Sequence, residues 1–326
     1  MKKLKKILFI TFSIVIITIV IGLSYIKIAL PNVGEPEKFT IESNDELIKH
    51  GEYLANNVMV CMDCHSERDW SKFSGPLVEG TLGKGGEVFD QNLGFPGTFT
   101  AKNITPYKLS SWTDGEILRA ISTGVSKDGN ALFPIMPYTH YGNIDRKDLE
   151  AIIAYIRTLP SLKSEVPASS PDFPMNFIIN TLPQKANFIK KPSEKNLLAY
   201  GKYLVNAAAC FDCHTKQEKG EFIGKDFAGG MEFKLSDGSI VRSPNITPDK
   251  TTGIGGWSEE QFVERFKMYA DSNYIPHTVE KGLFQTVMPW TMYGGMKESD
   301  LKAIYTYLKS IKVEKNSVER FTSSLK

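Results

Sequence analysis

Residues Ile7 to Ile26 form a run of 20 uncharged, mostly apolar positions. Wound as a helix at about 1.5 Å per residue, such a run spans about 30 Å, the thickness of a bilayer core. It is apolar on every face, which argues against a helix on a protein core. Lys2, Lys3, Lys5 and Lys6 precede it, so the positive-inside rule puts the N-terminus in the cytoplasm and the bulk of the chain across the membrane. A cleavable signal peptide has a shorter apolar core and a small-residue cleavage site. Leu23 to Leu30 has no clear site of that kind. Residues 1–6 are therefore read as a cytoplasmic stub and 7–26 as an uncleaved transmembrane anchor.

Beyond the anchor the apolar pattern becomes helical. Leu149, Ile152, Ile153, Ile156 and Leu159 follow the i, i+3, i+4, i+7 spacing of one buried face, as do Leu301, Ile304, Tyr305, Leu308 and Ile311. Thr113-x-x-Glu116 and Ser258-x-x-Gln261 are capping boxes and predict two further helix starts. Another helix is predicted from Asp45 to about Val58, with a counterpart beginning near Ser193. Glycine-rich stretches at Gly80–Gly97 and Gly220–Gly238 read as loops with short hairpins. No series of alternating strands is visible, so the fold is expected to be mainly α.

The pattern also repeats. Gly51-Glu52-Tyr53-Leu54 returns as Gly201-Lys202-Tyr203-Leu204, and Cys61-Met62-Asp63-Cys64-His65 as Cys210-Phe211-Asp212-Cys213-His214. Asn103-Ile104-Thr105-Pro106 returns at Asn245–Pro248, Trp112 at Trp257, Met136-Pro137-Tyr138 as Met288-Pro289-Trp290, and Asp148-Leu149 at Asp300-Leu301. Order and chemistry are kept over well above a hundred residues, which is tandem duplication of a domain and not a solenoid. The expected units are residues 45–160 and 195–312. The segment 161–194 between them is rich in proline, which blocks helix and central strand, so it reads as a linker with extended pieces. Its Phe173, Phe177, Ile178 and Ile179 suggest that it packs across the domains.

A chain of 326 residues holds two domains of ordinary size, and 41% apolar with 23% charged residues is a globular composition. Lys plus Arg number 39 against 37 Asp plus Glu, a balance that argues against general nucleic-acid binding. The charge is uneven: residues 1–27 are basic and without acid, and the body is mildly acidic. Four cysteines are too few for a disulfide scaffold, and all four lie in the two repeated pentapeptides.

C-x-x-C-H is the attachment signature of c-type haem. Thiols three residues apart lie about one helical turn apart and reach both vinyl groups of one porphyrin, while the adjacent histidine points at the iron. Cys61 and Cys64 are thus expected to carry one haem with His65 axial, and Cys210 and Cys213 a second with His214 axial. A redox dithiol would not need the histidine twice, and a shared zinc site would have to join motifs from separate repeats. Met136 and Met288 are the candidate sixth ligands. They recur 71 and 74 residues after the motif histidines, each before proline and an aromatic residue. A His/Met pair raises the reduction potential. His140 and His277 stand at unmatched places and read as loop or surface residues, and His50 as a solvated one. Trp112 and Trp257 fit either core packing or donation of an indole N–H to a haem propionate. The Asn-Ile-Thr-Pro pairs match a glycosylation sequon but read better as turns at the haem edge.

These residues resemble class I cytochrome c domains. Ser243-Pro244-Asn245-Ile246-Thr247-Pro248-Asp249, Thr252-Gly253-Ile254-Gly255 with Trp257, and Asp148 through Pro160 are similar to the cytochrome subunits of membrane-bound alcohol and gluconate dehydrogenases. Those subunits usually carry three haem domains, where two are expected here. The resemblance implies helices wrapped around each haem, with histidine on one side and methionine on the other. The expected function is electron transfer outside the cytoplasmic membrane, on the periplasmic side, between respiratory or dehydrogenase partners, among them a dehydrogenase, an oxidase or a quinol-oxidising complex. The protein is expected to be no enzyme itself. A dihaem peroxidase is the alternative; it needs an open iron position, which two matched methionines do not leave.

Overall fold

The computed structural model describes residues 2–325. Helix α1 (Lys2–Ala29) contains the apolar run, is long and apolar enough to cross a membrane, and has none of its residues buried. After it the first half runs α2 (Asp45–Tyr53), α3 (Cys61–His65), β1 (Val88–Phe89), β2 (Gly97–Thr100), α4 (Pro106–Leu109), α5 (Asp114–Thr123), α6 (Tyr138–Tyr141) and α7 (Arg146–Ile156). The connecting segment holds β3 (Ser170–Pro171) and α8 (Met175–Ile178). The second half repeats the helical order with α9 (Leu197–Ala207), α10 (Cys210–His214), α11 (Glu259–Lys267), α12 (Trp290–Tyr293) and α13 (Glu298–Ser310). Among these lie β4 (Gln217–Glu218), β5 (Glu221–Phe222), β6 (Glu232–Lys234) and β7 (Ile240–Arg242), and β8 (Phe321–Thr322) is the last element.

Local chemistry places these helices. Both capping boxes form: Thr113 and Ser258 accept from the N3 amides, while Glu116 and Gln261 reach back to the cap amides. Asn44 caps α2 and Asn196 caps α9. The helix expected to reach Val58 changes character on the way, because α2 passes into a π-helical turn over Leu54–Val58. A widened turn of that kind commonly marks a functional segment.

The most extensive helix pairs are α2 with α7 and α9 with α13. Their close approach explains the recurring glycine. A Cβ on Gly51 would lie 1.8 Å from the Ala151 carbonyl oxygen, and one on Gly201 would lie 1.9 Å from that of Ala303. The apolar faces anticipated on α7 and α13 bury Leu149, Ile152, Ile153, Leu301, Ile304 and Leu308. One contiguous apolar cluster runs through both halves.

Small antiparallel sheets fasten the chain that follows each final helix. β3 pairs with β2 (Gly97↔Pro171), extending the β1–β2 hairpin. β8 pairs with β7 (Ile240↔Thr322), extending the β6–β7 hairpin. The linker is therefore ordered against the first half, with Phe173 exposed.

The halves meet through reciprocal contacts. Tyr53 donates to Asp300 at 2.6 Å and accepts from the Lys297 amide at 3.0 Å. Tyr203 donates to Asp148 at 2.5 Å and accepts from the Asp145 amide at 3.1 Å. Asn57 donates to the Met292 carbonyl at 2.9 Å, and Asn206 to that of His140 at 3.3 Å. Each contact has its partner with the halves exchanged, which is the logic of an isologous, two-fold interface within one chain.

Candidate haem sites

Each Cys motif is a single helical turn entered by a left-handed residue. Val60 has φ +43° and Ala209 φ +48°. Neither is glycine, and valine is β-branched, so the same costly backbone state stands at the same place twice. The reversal starts α3 and α10 abruptly, with the carbonyls of Val60 and Ala209 accepting from the amides of Asp63 and Asp212. The two thiols of each pair are thereby carried on one short turn.

Burial pushes the thiols of Cys61 and Cys210 up to about 12 and raises that of Cys64 as well. A dithiol oxidoreductase needs the opposite, a thiol lowered toward neutrality. Among the described residues no group of three His, Cys, Asp or Glu is placed to hold a metal ion, as a shared zinc site would require.

The motif histidines are arranged alike. His65 Nδ1 lies 2.6 Å from the Lys102 carbonyl, and His214 Nδ1 lies 2.9 Å from the Pro244 carbonyl. A carbonyl can only accept, so Nδ1 carries the proton. Burial lowers the pKa of both imidazoles and keeps them neutral. Nε2 is left with its lone pair, the state an axial ligand needs, and the Nδ1–H bond fixes the ring.

The two carbonyls immediately precede the repeated Asn-Ile-Thr-Pro segments. Asn103 Oδ1 accepts from the Thr105 amide at 2.9 Å, and Asn245 Oδ1 from the Thr247 amide at 2.8 Å. Each asparagine Nδ2 ties the turn to the chain beyond the last helix, at the Leu162 carbonyl (2.8 Å) and the Glu314 carbonyl (2.7 Å). Both asparagines are buried. The segments are turns that aim a carbonyl at a histidine.

Met136 and Met288 are also held alike. Their carbonyls accept from the amides two residues on, Tyr138 at 2.7 Å and Trp290 at 2.8 Å. Pro137 (φ −77°, ψ 54°) and Pro289 (φ −80°, ψ 68°) are the centres of these inverse γ-turns. Both methionines pack against the apolar cluster that also includes Cys61 and Cys210. One tyrosine closes each half: Tyr141 donates to the Met59 carbonyl at 3.1 Å and Tyr293 to the Ala208 carbonyl at 3.0 Å. They hold the Met segment against the residue two positions before the first cysteine. Across the halves, Ser74 donates to the Met288 carbonyl at 2.6 Å and accepts from the Trp290 amide. These residues fit a covalently attached haem: paired thiols on one turn, a neutral histidine with Nε2 free, and a methionine segment returned against the same core.

Several histidines differ from their sequence reading. His140 is no surface residue; it is largely buried, and it bridges the halves through Asn206 and Asp212, each at 2.8 Å. His50 is held to Asp148 at 2.7 Å. His277 is the exposed loop residue the sequence suggested, its ring stacked on Phe73 with centroids 5.0 Å apart. Trp112 packs against the core, whereas Trp257 is more than a third exposed. The interface tyrosines and Tyr141 with Tyr293 were missed in the sequence. Their recurrence in Gly-x-Tyr-Leu and Tyr-Gly was the available signal.

Residues 198–312 match the family model for cytochrome c. The second half is thus similar to cytochrome c. Over a wider stretch the chain is 28% identical, across 299 residues, to the cytochrome c subunit of a quinone-linked alcohol dehydrogenase of Gluconacetobacter polyoxogenes, covering 83% of this chain and 57% of that subunit. It is 29% identical over 300 residues to the gluconate 2-dehydrogenase cytochrome c subunit of Pantoea cypripedii, covering 86% and 63%. A diheme cytochrome c-type protein of Cereibacter sphaeroides is 27% identical over 267 residues, covering 77% of this chain and 81% of the relative. The chain therefore spans little more than half the length of the dehydrogenase subunits it matches. It resembles the cytochrome c subunits of dehydrogenases, with the cytochrome c family model falling on α9 to α13.

Proposed function

We propose that the chain is a single-pass, membrane-anchored dihaem cytochrome c that relays electrons between redox proteins on the outer, periplasmic side of the cytoplasmic membrane. On this reading residues 45–160 and 195–312 are two cytochrome c domains joined by the linker 161–194. Cys61 and Cys64 carry one haem c, with His65 and Met136 as axial ligands. Cys210 and Cys213 carry the other, with His214 and Met288. When bound, the haem iron supplies the uptake and release of single electrons.

The chain's own residues hold the site ready. The carbonyls of Lys102 and Pro244 set the histidine tautomer and ring direction. The proline turns present the methionines, and the apolar cluster keeps water away. With a histidine and a methionine both ligating the iron, no position would be left open for a substrate, which favours a carrier over a peroxidase.

The observation that carries this reading is the repeated histidine–carbonyl pairing with Nε2 left free. The length of α1 and the lysines before it support the anchor and its orientation. Relatives named as subunits of alcohol and gluconate dehydrogenases support a dehydrogenase as electron donor; an oxidase or quinol-oxidising complex is the further partner of this reading. The test is an optical spectrum of the purified chain, oxidised and reduced. Low-spin iron with the weak long-wavelength band of Met–iron ligation in the ferric form is expected. A high-spin ferric signal would mean an open site and overturn the Met assignments.

A further inference from the structure

We infer that the linker turn Phe173–Ile178 is a second membrane contact, inserting its apolar side chains into the lipid–water interface beside α1. The inference rests on reading α1 as the membrane anchor. Lys27 is the first charged residue after the apolar run, so its ammonium marks the level at which hydrocarbon gives way to headgroups. That ammonium donates to the Asn176 carbonyl at 2.6 Å and lies 5.0 Å from the centroid of the Phe177 ring. Phe177 is therefore at headgroup depth. Phe173 meets Phe177 edge-on at 6.3 Å and is 79% exposed, and Ile178 is 42% exposed.

The turn is not a free flap. Its N-terminal side is strand β3, paired to β2 of the first half. The Asp172 amide donates to the Pro96 carbonyl at 3.0 Å, and the Asp172 carboxylate accepts from Gln91 at 2.9 Å. Exposed phenylalanine and isoleucine on a fixed turn beside the end of a membrane helix meet lipid first, because chain continuity puts the bilayer there. Attachment at two places sets the β1–β3 sheet of the first half against the membrane and fixes its orientation, which a helix tether alone would leave free to swing.

Depth measurement on nitroxide-labelled protein tests this. The haem-loaded full chain, reduced and in vesicles of mixed zwitterionic and anionic phospholipid, is labelled in turn at Phe173→Cys, Ile178→Cys, Ile275→Cys and Ile16→Cys. Thioether attachment of the motif cysteines leaves each introduced thiol as the reactive one. Phe173 and Ile275 are both largely exposed, so neither substitution removes core packing. The ratio of oxygen to water-soluble nickel-chelate accessibility is expected to be several-fold higher at 173 and 178 than at 275, and highest at 16. An aqueous ratio at 173 and 178 with a deep one at 16 overturns the inference and leaves the anchor standing. An aqueous ratio at 16 as well overturns the anchor, and the inference with it.

Discussion

Replacing Gly201 by alanine adds one methyl group where the structure has no room for it. The new Cβ would lie 1.9 Å from the Ala303 carbonyl oxygen and 3.0 Å from Tyr307 Cβ. Ordinary contact begins near 3.4 Å, so α9 and α13 must part by more than an ångström. The oxygen belongs to helical backbone and cannot swing aside as a side chain could. Overpacking of this kind costs about 1–3 kcal/mol, occasionally more. Alanine's better helix propensity returns at most about 1 kcal/mol. A net loss of about 2 kcal/mol is expected. With a denaturant slope of about 2–3 kcal/mol per molar urea, the midpoint falls by about 1 M. Urea unfolding of the haem-loaded chain, followed by far-ultraviolet circular dichroism, measures it. Gly51→Ala, with its Cβ 1.8 Å from the Ala151 oxygen, is expected to behave the same way. An unchanged or raised midpoint for both variants would refute the close-approach reasoning, since the propensity gain alone would then decide the sign.

The remaining expectations concern the interface and the two sites. Tyr203→Phe removes the hydroxyl that donates to buried Asp148 at 2.5 Å; a bond to a charged group is worth about 1.5–3 kcal/mol, and urea unfolding is expected to show a loss of that size, with Tyr53→Phe losing a similar amount at Asp300. Burial alone would raise the Asp148 carboxyl, but hydrogen bonds from His50 and Tyr203 outweigh it and hold the group below its ordinary value. Its contribution to stability is therefore present above the unfolded value of about 4 and lost as pH falls through the lower folded value; unfolding measured from pH 6 down to 2 is expected to show a loss at the acid end that Asp148→Asn flattens. Ala209→Gly relieves a left-handed alanine and is expected to stabilise the chain by about 1 kcal/mol, read as a raised urea midpoint. Asn245→Ala empties a buried turn that aims the Pro244 carbonyl at His214; a loss of about 1–3 kcal/mol is expected, with the optical change confined to one of the two haems.

The parts legible in the sequence were those with local causes. Thr113-x-x-Glu116 and Ser258-x-x-Gln261 name their own caps, and the spacing from Leu149 to Leu159 names its own face. The proposed site residues stood out because C-x-x-C-H and Met-Pro-aromatic are short and repeated. Long-range contacts were not. The exchange of Tyr53 and Tyr203 onto Asp300 and Asp148 joins residues far apart in the chain, and no local spacing announces it. His140 read as a loop residue because its partners, Asn206 and Asp212, lie in the other half. Val60 in a left-handed state runs against its own preference, so only the fold could reveal it. The recurrence of Gly51 and Gly201 was visible, while its reason, a carbonyl within 2 Å of an absent Cβ, was not.

Haem stoichiometry on the intact chain bears most directly on the proposal of two covalent sites. Mass spectrometry of the denatured, purified protein is expected to show the polypeptide plus two haem groups. A Cys61→Ala/Cys64→Ala variant is expected to keep one haem, and a Cys210→Ala/Cys213→Ala variant the other. A wild-type mass with a single haem, or a first-half variant that still carries as many haems as the parent, would contradict the assignment of Cys61, Cys64 and His65 as a haem site.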